Sequence, residues 1–73
     1  MSDSIAWMVE VTIKGQPAWW SGHNGVSFST DPNSGIRFKR EQDAKFIIDN
    51  IIDISLRIQC RATDHMWFDS KNP

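Results

Sequence analysis

Apolar and polar positions alternate from Ala6 to Lys14. Trp7, Val9, Val11 and Ile13 fall on one side, and Met8, Glu10, Thr12 and Lys14 on the other. This is the period of a half-buried strand. Gly15-Gln16 interrupts it, and Pro17 suits the start of a second strand, Ala18 to Gly22. Asn24-Gly25 is the strongest hairpin signal in the chain, because both central residues of a tight two-residue turn need positive φ. A third strand, Val26 to Ser29, follows it. Asp31-Pro32-Asn33-Ser34-Gly35 reads as a turn or a single helical turn, and Ile36-Arg37-Phe38 as a short bridge that plants Ile36 and Phe38 under the next element.

That element is the one strong helix, expected over Glu41 to Ile52. Ala44, Ile47, Ile48 and Ile51 recur at helical spacing and define its core face. Glu41 and Asp43 suit its positive end, whereas Arg40 is a poor capping residue. Its isoleucines lower intrinsic propensity, so packing must hold it. From Leu56 to Phe68 alternation returns as a fourth strand; continuation of the helix through Cys60 is the rival reading. The order β-β-β-α-β predicts an α+β fold. One domain spans residues 1–73, with polar tails at 1–4 and 69–73, and one helix packs on one face of a small antiparallel sheet.

Two side-chain placements follow. At 100° per residue Phe46 lies roughly opposite the apolar stripe and should be exposed, or covered by a second chain or by the C-terminal Trp67-Phe68. Trp19 and Trp20 must point to opposite faces of their strand. With Gly15-Gln16 as the turn, Thr12 pairs with Trp19 and Val11 with Trp20, so Trp20 goes under the helix and Trp19 to the outer face. A two-residue Asn24-Gly25 turn pairs Ser21 with Phe28 and sends Phe28 outward too. Met8, Trp19 and Phe28 should then form an open apolar patch, and Phe46 and Trp67 are further candidates for contact with a partner.

Composition narrows the functional classes. The 73 residues carry a net charge of −1, which argues against a polyanion binder acting through its whole surface. Four tryptophans and four phenylalanines without a tyrosine are more rings than so small a core accommodates. A single cysteine makes no internal disulfide and favours a reducing cytoplasm. No secretion signal and no membrane-spanning run are visible. Cys60 and His65 are separated by an odd number of positions, which puts them on opposite faces of a strand. Cys60 is simplest as a small core hydrophobe and His23 as a loop residue. No His or Cys pair has the spacing of a zinc site, and Asp49 and Asp53 read as a solvated helix face. No catalytic residue, metal or cofactor is assigned.

The middle of the chain resembles small phage and prophage-encoded accessory proteins. The residues that carry the likeness are Trp20, Asp31-Pro32-Asn33, Ile36-Arg37-Phe38, Arg40 and Asp43-Ala44, with a further match at His65-Met66-Trp67. Gly35 stands where that pattern has alanine. The resemblance implies a mobile-element origin and a non-enzymatic role. The expected function is therefore binding of a host or phage protein, with inhibition of a bacterial defence or regulatory protein as its sharper form. Self-association is its simplest form. The alternative is single-stranded nucleic-acid binding. In that reading Arg37, Lys39 and Arg40, with Arg57 and Arg61 on one face of the last strand, contact phosphates while Trp19 and Trp67 stack on bases.

Overall fold

The computed structural model describes residues 3–68, with side chains from 5 to 66. It is an α+β fold with a four-stranded antiparallel sheet and one main helix packed against it. The strands are β1 (Asp3–Ile13), β2 (Gln16–Trp20), β3 (Phe28–Ser29) and β4 (Cys60–Phe68), in the spatial order β3-β2-β1-β4. The helices are α1 (Glu41–Asn50) and a short α2 (Ile54–Arg57), and a single 3₁₀ turn occupies Pro32–Ser34. The polar tail expected at 69–73 lies outside the described residues. Of the one expected at 1–4, Asp3 and Ser4 belong to β1 and pair with Phe68 and Trp67.

The first hairpin turns one residue earlier than its sequence suggested. Lys14 and Gly15 are its central residues, with φ of 51° and 81°, the pair of left-handed conformations that a tight hairpin requires. Glu10 therefore opposes Trp19, and Val11 opposes Ala18. The pairing shifts by two residues, which preserves the faces. Trp19 stays with Met8 and Glu10, and Trp20 joins Val9 under the helix.

The expected Asn24-Gly25 hairpin is absent. Trp20 pairs with Phe28, so residues 21–27 form a longer loop, closed at its neck by Ser21 N–H donating to the Ser27 carbonyl at 2.9 Å. Tertiary bonds hold this loop open. The Trp20 indole N–H donates to the Asn24 carbonyl at 2.6 Å, and Asp53 N–H to the Gly25 carbonyl at 3.0 Å. Phe28 consequently shares the face of Trp20 and is half-buried against the core, not on the outer face.

The core lies between α1 and the sheet: Val9, Trp20, Ala44, Ile48 and Ile52, with Trp7, Phe28, Phe38, Ile47, Leu56, Cys60 and Ala62 packed around them. Phe38 stacks on Trp20 with ring centroids 6.4 Å apart. It also exchanges backbone hydrogen bonds with Trp7, at 2.7 and 2.8 Å, so the expected bridge continues the β2 side of β1 after β2 has ended. Ile36, expected beneath the helix, is instead exposed.

The end of α1 decides which isoleucine is core. Ile51 N–H and Ile52 N–H both donate to the Ile47 carbonyl, at 2.8 and 2.9 Å. The second bond spans five residues, widens the last turn and swings Ile52 inward. Ile52 is wholly buried, whereas Ile51, expected on the core face, is exposed. Asp53 then caps α2, accepting from Ser55 N–H at 3.1 Å and from the Ser55 hydroxyl. This cap explains why Leu56 and Arg57 are helical and β4 begins only at Cys60.

Ile52→Ala should therefore destabilise the fold by about 2–5 kcal/mol, while Ile51→Ala costs under about 1 kcal/mol. Urea denaturation of the two variants checks the assignment, and the reverse order would refute it.

Candidate functional site

The face of the sheet away from α1 is not open. Met8 is 0% exposed and Trp19 9%. Their cover comes from two places. The 30–35 segment folds over this face, and Gly35 lies so close that a Cβ there would sit 2.9 Å from Trp19 Cβ and closer still to Met8 Cε. A side chain at position 35 would have to displace Trp19 or Met8, so the close approach requires glycine there. From β4, His65 meets the Trp19 ring edge-on, with centroids 6.1 Å apart. The expected patch of Met8, Trp19 and Phe28 therefore does not exist as an open surface: Met8 and Trp19 are buried, and Phe28 has turned to the helix side. The Trp67 side chain lies outside the described residues. Phe46 is 59% exposed, where the helical geometry places it.

Around Trp19 the sheet assembles a polar cluster. Glu10 on β1 opposes Trp19 on β2 and Arg61 on β4, so these side chains share a face. Thr63 opposes Met8, and His65 opposes Ala6, on that same face. Glu10 Oε1 accepts from the Trp19 indole N–H at 3.1 Å and from the Thr63 hydroxyl at 3.0 Å. Thr63 Oγ1 is also 3.0 Å from His65 Nε2, which lies 3.7 Å from Glu10 Oε1. A hydroxyl has one proton. With Thr63 donating to Glu10, His65 donates through Nε2–H to Thr63, and the chain of bonds is directional throughout.

A carboxylate, a hydroxyl and an imidazole in mutual contact raise the question of nucleophilic catalysis. The geometry is unsuited to it. In a catalytic triad the carboxylate holds one ring nitrogen while the other faces the hydroxyl. Here Glu10 and Thr63 both approach Nε2. As a donor that nitrogen cannot take the hydroxyl proton, and Glu10 does not orient the far side of the ring. The arrangement satisfies the Trp19 indole and fixes β1 between its neighbours.

The other candidates are dispersed. Cys60 opposes Val11 on the helix side, so it does not meet His65, and burial pushes its thiol pKa up. His23 is an exposed loop residue. Asp53 serves as a cap, and hydrogen bonds from the Ser55 hydroxyl and then its backbone N–H hold its carboxyl below the usual aspartate range. Among the described residues no group of three or more His, Cys, Asp or Glu is placed to hold a metal ion, and no helix is long and apolar enough to cross a membrane.

The basic residues come from three separate elements. Arg37 and Lys39 are exposed in the segment before α1. Arg40 pairs with Asp43 at 3.0 Å, which raises its pKa. Arg57 lies in α2, where its Nε donates to the Ile52 carbonyl at 2.9 Å, while Arg61 is on β4 beside Glu10. The expectation that Arg57 and Arg61 share a strand face is corrected by the Asp53 cap, and Trp19 is too buried to stack on a base.

Sequence reasoning missed the Glu10–Thr63–His65 grouping. Strand alternation had already placed Glu10 with Trp19, but the register of β4 on β1, over residues more than fifty positions apart, leaves no local signal. Comparison with known proteins adds no further constraint: no family model, no curated protein and no solved structure matches the chain.

Trp19→Ala should now cost about 3–5 kcal/mol, as a core aromatic does, and not leave the fold intact. Glu10→Ala should cost about 1–3 kcal/mol by stranding the indole N–H, with Glu10→Gln recovering most of it because the amide oxygen still accepts. Denaturation midpoints of the three variants check this; equal losses for alanine and glutamine at position 10 would contradict it. Separately, Gly35→Ala should lower the melting temperature, because the added Cβ has to displace Trp19 or Met8, and an unchanged value would refute that close approach.

Proposed function

We propose that this chain is a small, non-enzymatic protein-binding module acting in the cytoplasm. The observation that carries the reading is on the helical layer: Phe46, Ile51 and Ile54 stand exposed outside the core, Ile54 at 76%. Exposed apolar side chains of this size supply the anchors of docking surfaces where a partner covers them, and these three are the candidate anchors. The wiring of the Glu10 cluster as a structural network supports a binding role over a catalytic one. Origin in a phage or prophage, and inhibition of a host defence or regulatory protein, belong to the same proposal and rest on the resemblance of the middle segment. Single-stranded nucleic-acid binding is disfavoured by the dispersal of the arginines and the burial of Trp19.

The test is capture from bacterial lysate, with and without nuclease, by the wild-type chain and by a Phe46→Lys/Ile54→Lys variant. Both positions are exposed, so stability should change by no more than about 0.5 kcal/mol per substitution. The expected result is a protein retained after nuclease treatment and lost with the variant. Retention that nuclease abolishes, or that the variant leaves intact, would reject the proposed surface.

A further inference from the structure

The 21–27 loop is docked on the core through two adjacent residues. The Asn24 carbonyl accepts from the Trp20 indole N–H at 2.6 Å, and the Gly25 carbonyl from Asp53 N–H at 3.0 Å. Gly25 has no slack: a Cβ there would lie 2.5 Å from the Ile51 carbonyl oxygen and 2.8 Å from the Asp53 nitrogen. Asn24 is exposed, yet its Oδ1 is held by Val26 N–H at 2.8 Å and by the Ser27 hydroxyl at 3.1 Å. An asparagine followed by glycine is chemically labile, because the next backbone nitrogen carries no side chain to hinder its attack on the asparagine amide.

We propose that Asn24 is a site of spontaneous conversion to isoaspartate, that docking of the loop restrains the reaction, and that the product keeps the loop undocked. The Gly25 nitrogen, after losing its proton to solvent base, attacks Asn24 Cγ. The new C–N bond closes a five-membered imide, and the Cγ–Nδ2 bond breaks to release ammonia. Water then opens the ring. Addition at the backbone carbonyl carbon leaves isoaspartate, and addition at Cγ leaves aspartate. Ring closure turns Asn24 about its Cα–Cβ and Cα–C bonds. In the docked loop the two donors on Oδ1 hold the first rotation, and Trp20 holds the second. The reaction therefore proceeds when the loop opens locally. In isoaspartate the main chain runs through Cγ and is one carbon longer, and the former backbone carbonyl becomes a free carboxylate. The longer link cannot satisfy Trp20 and Asp53 together while Gly25 stays packed on residues 51–53. Aspartate keeps the original chain length and both anchors. This inference is independent of the Phe46–Ile54 surface and would stand if that surface bound nothing.

The full chain is aged in mildly alkaline buffer, folded or unfolded in urea, and mapped by peptide mass spectrometry. In the unfolded chain Asn24 should convert before Asn33 and Asn50, which precede Ser34 and Ile51. In the folded chain Asn24 should convert about tenfold more slowly than in the unfolded one. Trp20→Phe keeps a ring in the core but removes the indole N–H, and should speed the folded-state reaction several-fold. Glu10→Ala, which weakens the sheet away from the loop, should leave it near the wild-type rate. Hydrogen exchange of the Asp53 amide should quicken in the isoaspartate form and stay slow in an Asn24→Asp variant. Equal rates in folded and unfolded chains overturn the proposal, as does an unfolded chain in which Asn24 is not first. So does equal acceleration by Trp20→Phe and Glu10→Ala, or an Asp53 amide that stays protected in the isoaspartate form.

Discussion

β1 is hydrogen-bonded on both sides, and β2, β4 and α1 are each placed by their contacts with it. It bonds β2 through residues 10–13, β4 through residues 3–11 and the Phe38 backbone at Trp7. A strand with neighbours on both sides presents two faces, and this chain has one main helix to cover them. Of the odd-numbered residues, Val9 and Val11 are buried under α1, whereas Ile13, expected with them, is exposed at the end of the strand, as is Ile5. The even-numbered side needs another solution. The chain supplies it by folding the 30–35 segment over Met8 and Trp19, then bonding Ile36 to Trp20 at the end of β2 and Phe38 to Trp7 of β1 before α1 begins. One stretch of loop therefore covers the far face and delivers the helix to the near one.

Polar groups on the far face follow from the same constraint. Trp19 is buried but carries an indole N–H, which would be costly without an acceptor. Glu10, directly across the ladder, supplies it. A carboxylate drawn partly from water needs further donors, and Thr63 provides one, with His65 bonded behind it. The cluster joins β2, β1 and β4 on a face that has no helix. Residue types associated with catalysis are thus explained by the burial of one tryptophan.

Strand faces were legible in the sequence because they depend only on whether positions are odd or even. Moving a two-residue turn by one position changes the pairing by two, so Trp19 and Trp20 kept their faces although Lys14-Gly15 replaced Gly15-Gln16. Phe46 was legible for a similar reason, since helical angle alone separates it from Ala44 and Ile48. Exposure on the far face was not legible, because Met8 is covered by Gly35 and Trp19 by Gly35 and His65, all remote in sequence. Asn24-Gly25 misled because its local preference for a tight turn is outweighed by the bonds from Trp20 and Asp53 that spread the loop. Ile51 and Ile52 were exchanged by one wide turn at the end of α1, below the resolution of a helical stripe.

Closing both faces changes where a partner can bind. A sheet with an open apolar face would bind through that face, and the surplus of aromatic residues first suggested this. Trp7, Trp19, Trp20, Phe28 and Phe38 are instead all drawn inward, and together they make a core that 73 residues could not otherwise assemble. The aromatic content is thus a requirement of folding a small domain, and it is not by itself a sign of an interface. What remains uncovered among the described residues is Phe46 on α1, the isoleucines where α1 gives way to α2, and peripheral side chains such as Ile5, Ile13 and Met66. An apolar contact with another molecule would therefore fall on the rim or the helical layer, because Trp7, Trp19, Trp20, Phe28 and Phe38 are packed inside and hold the sheet against its covers.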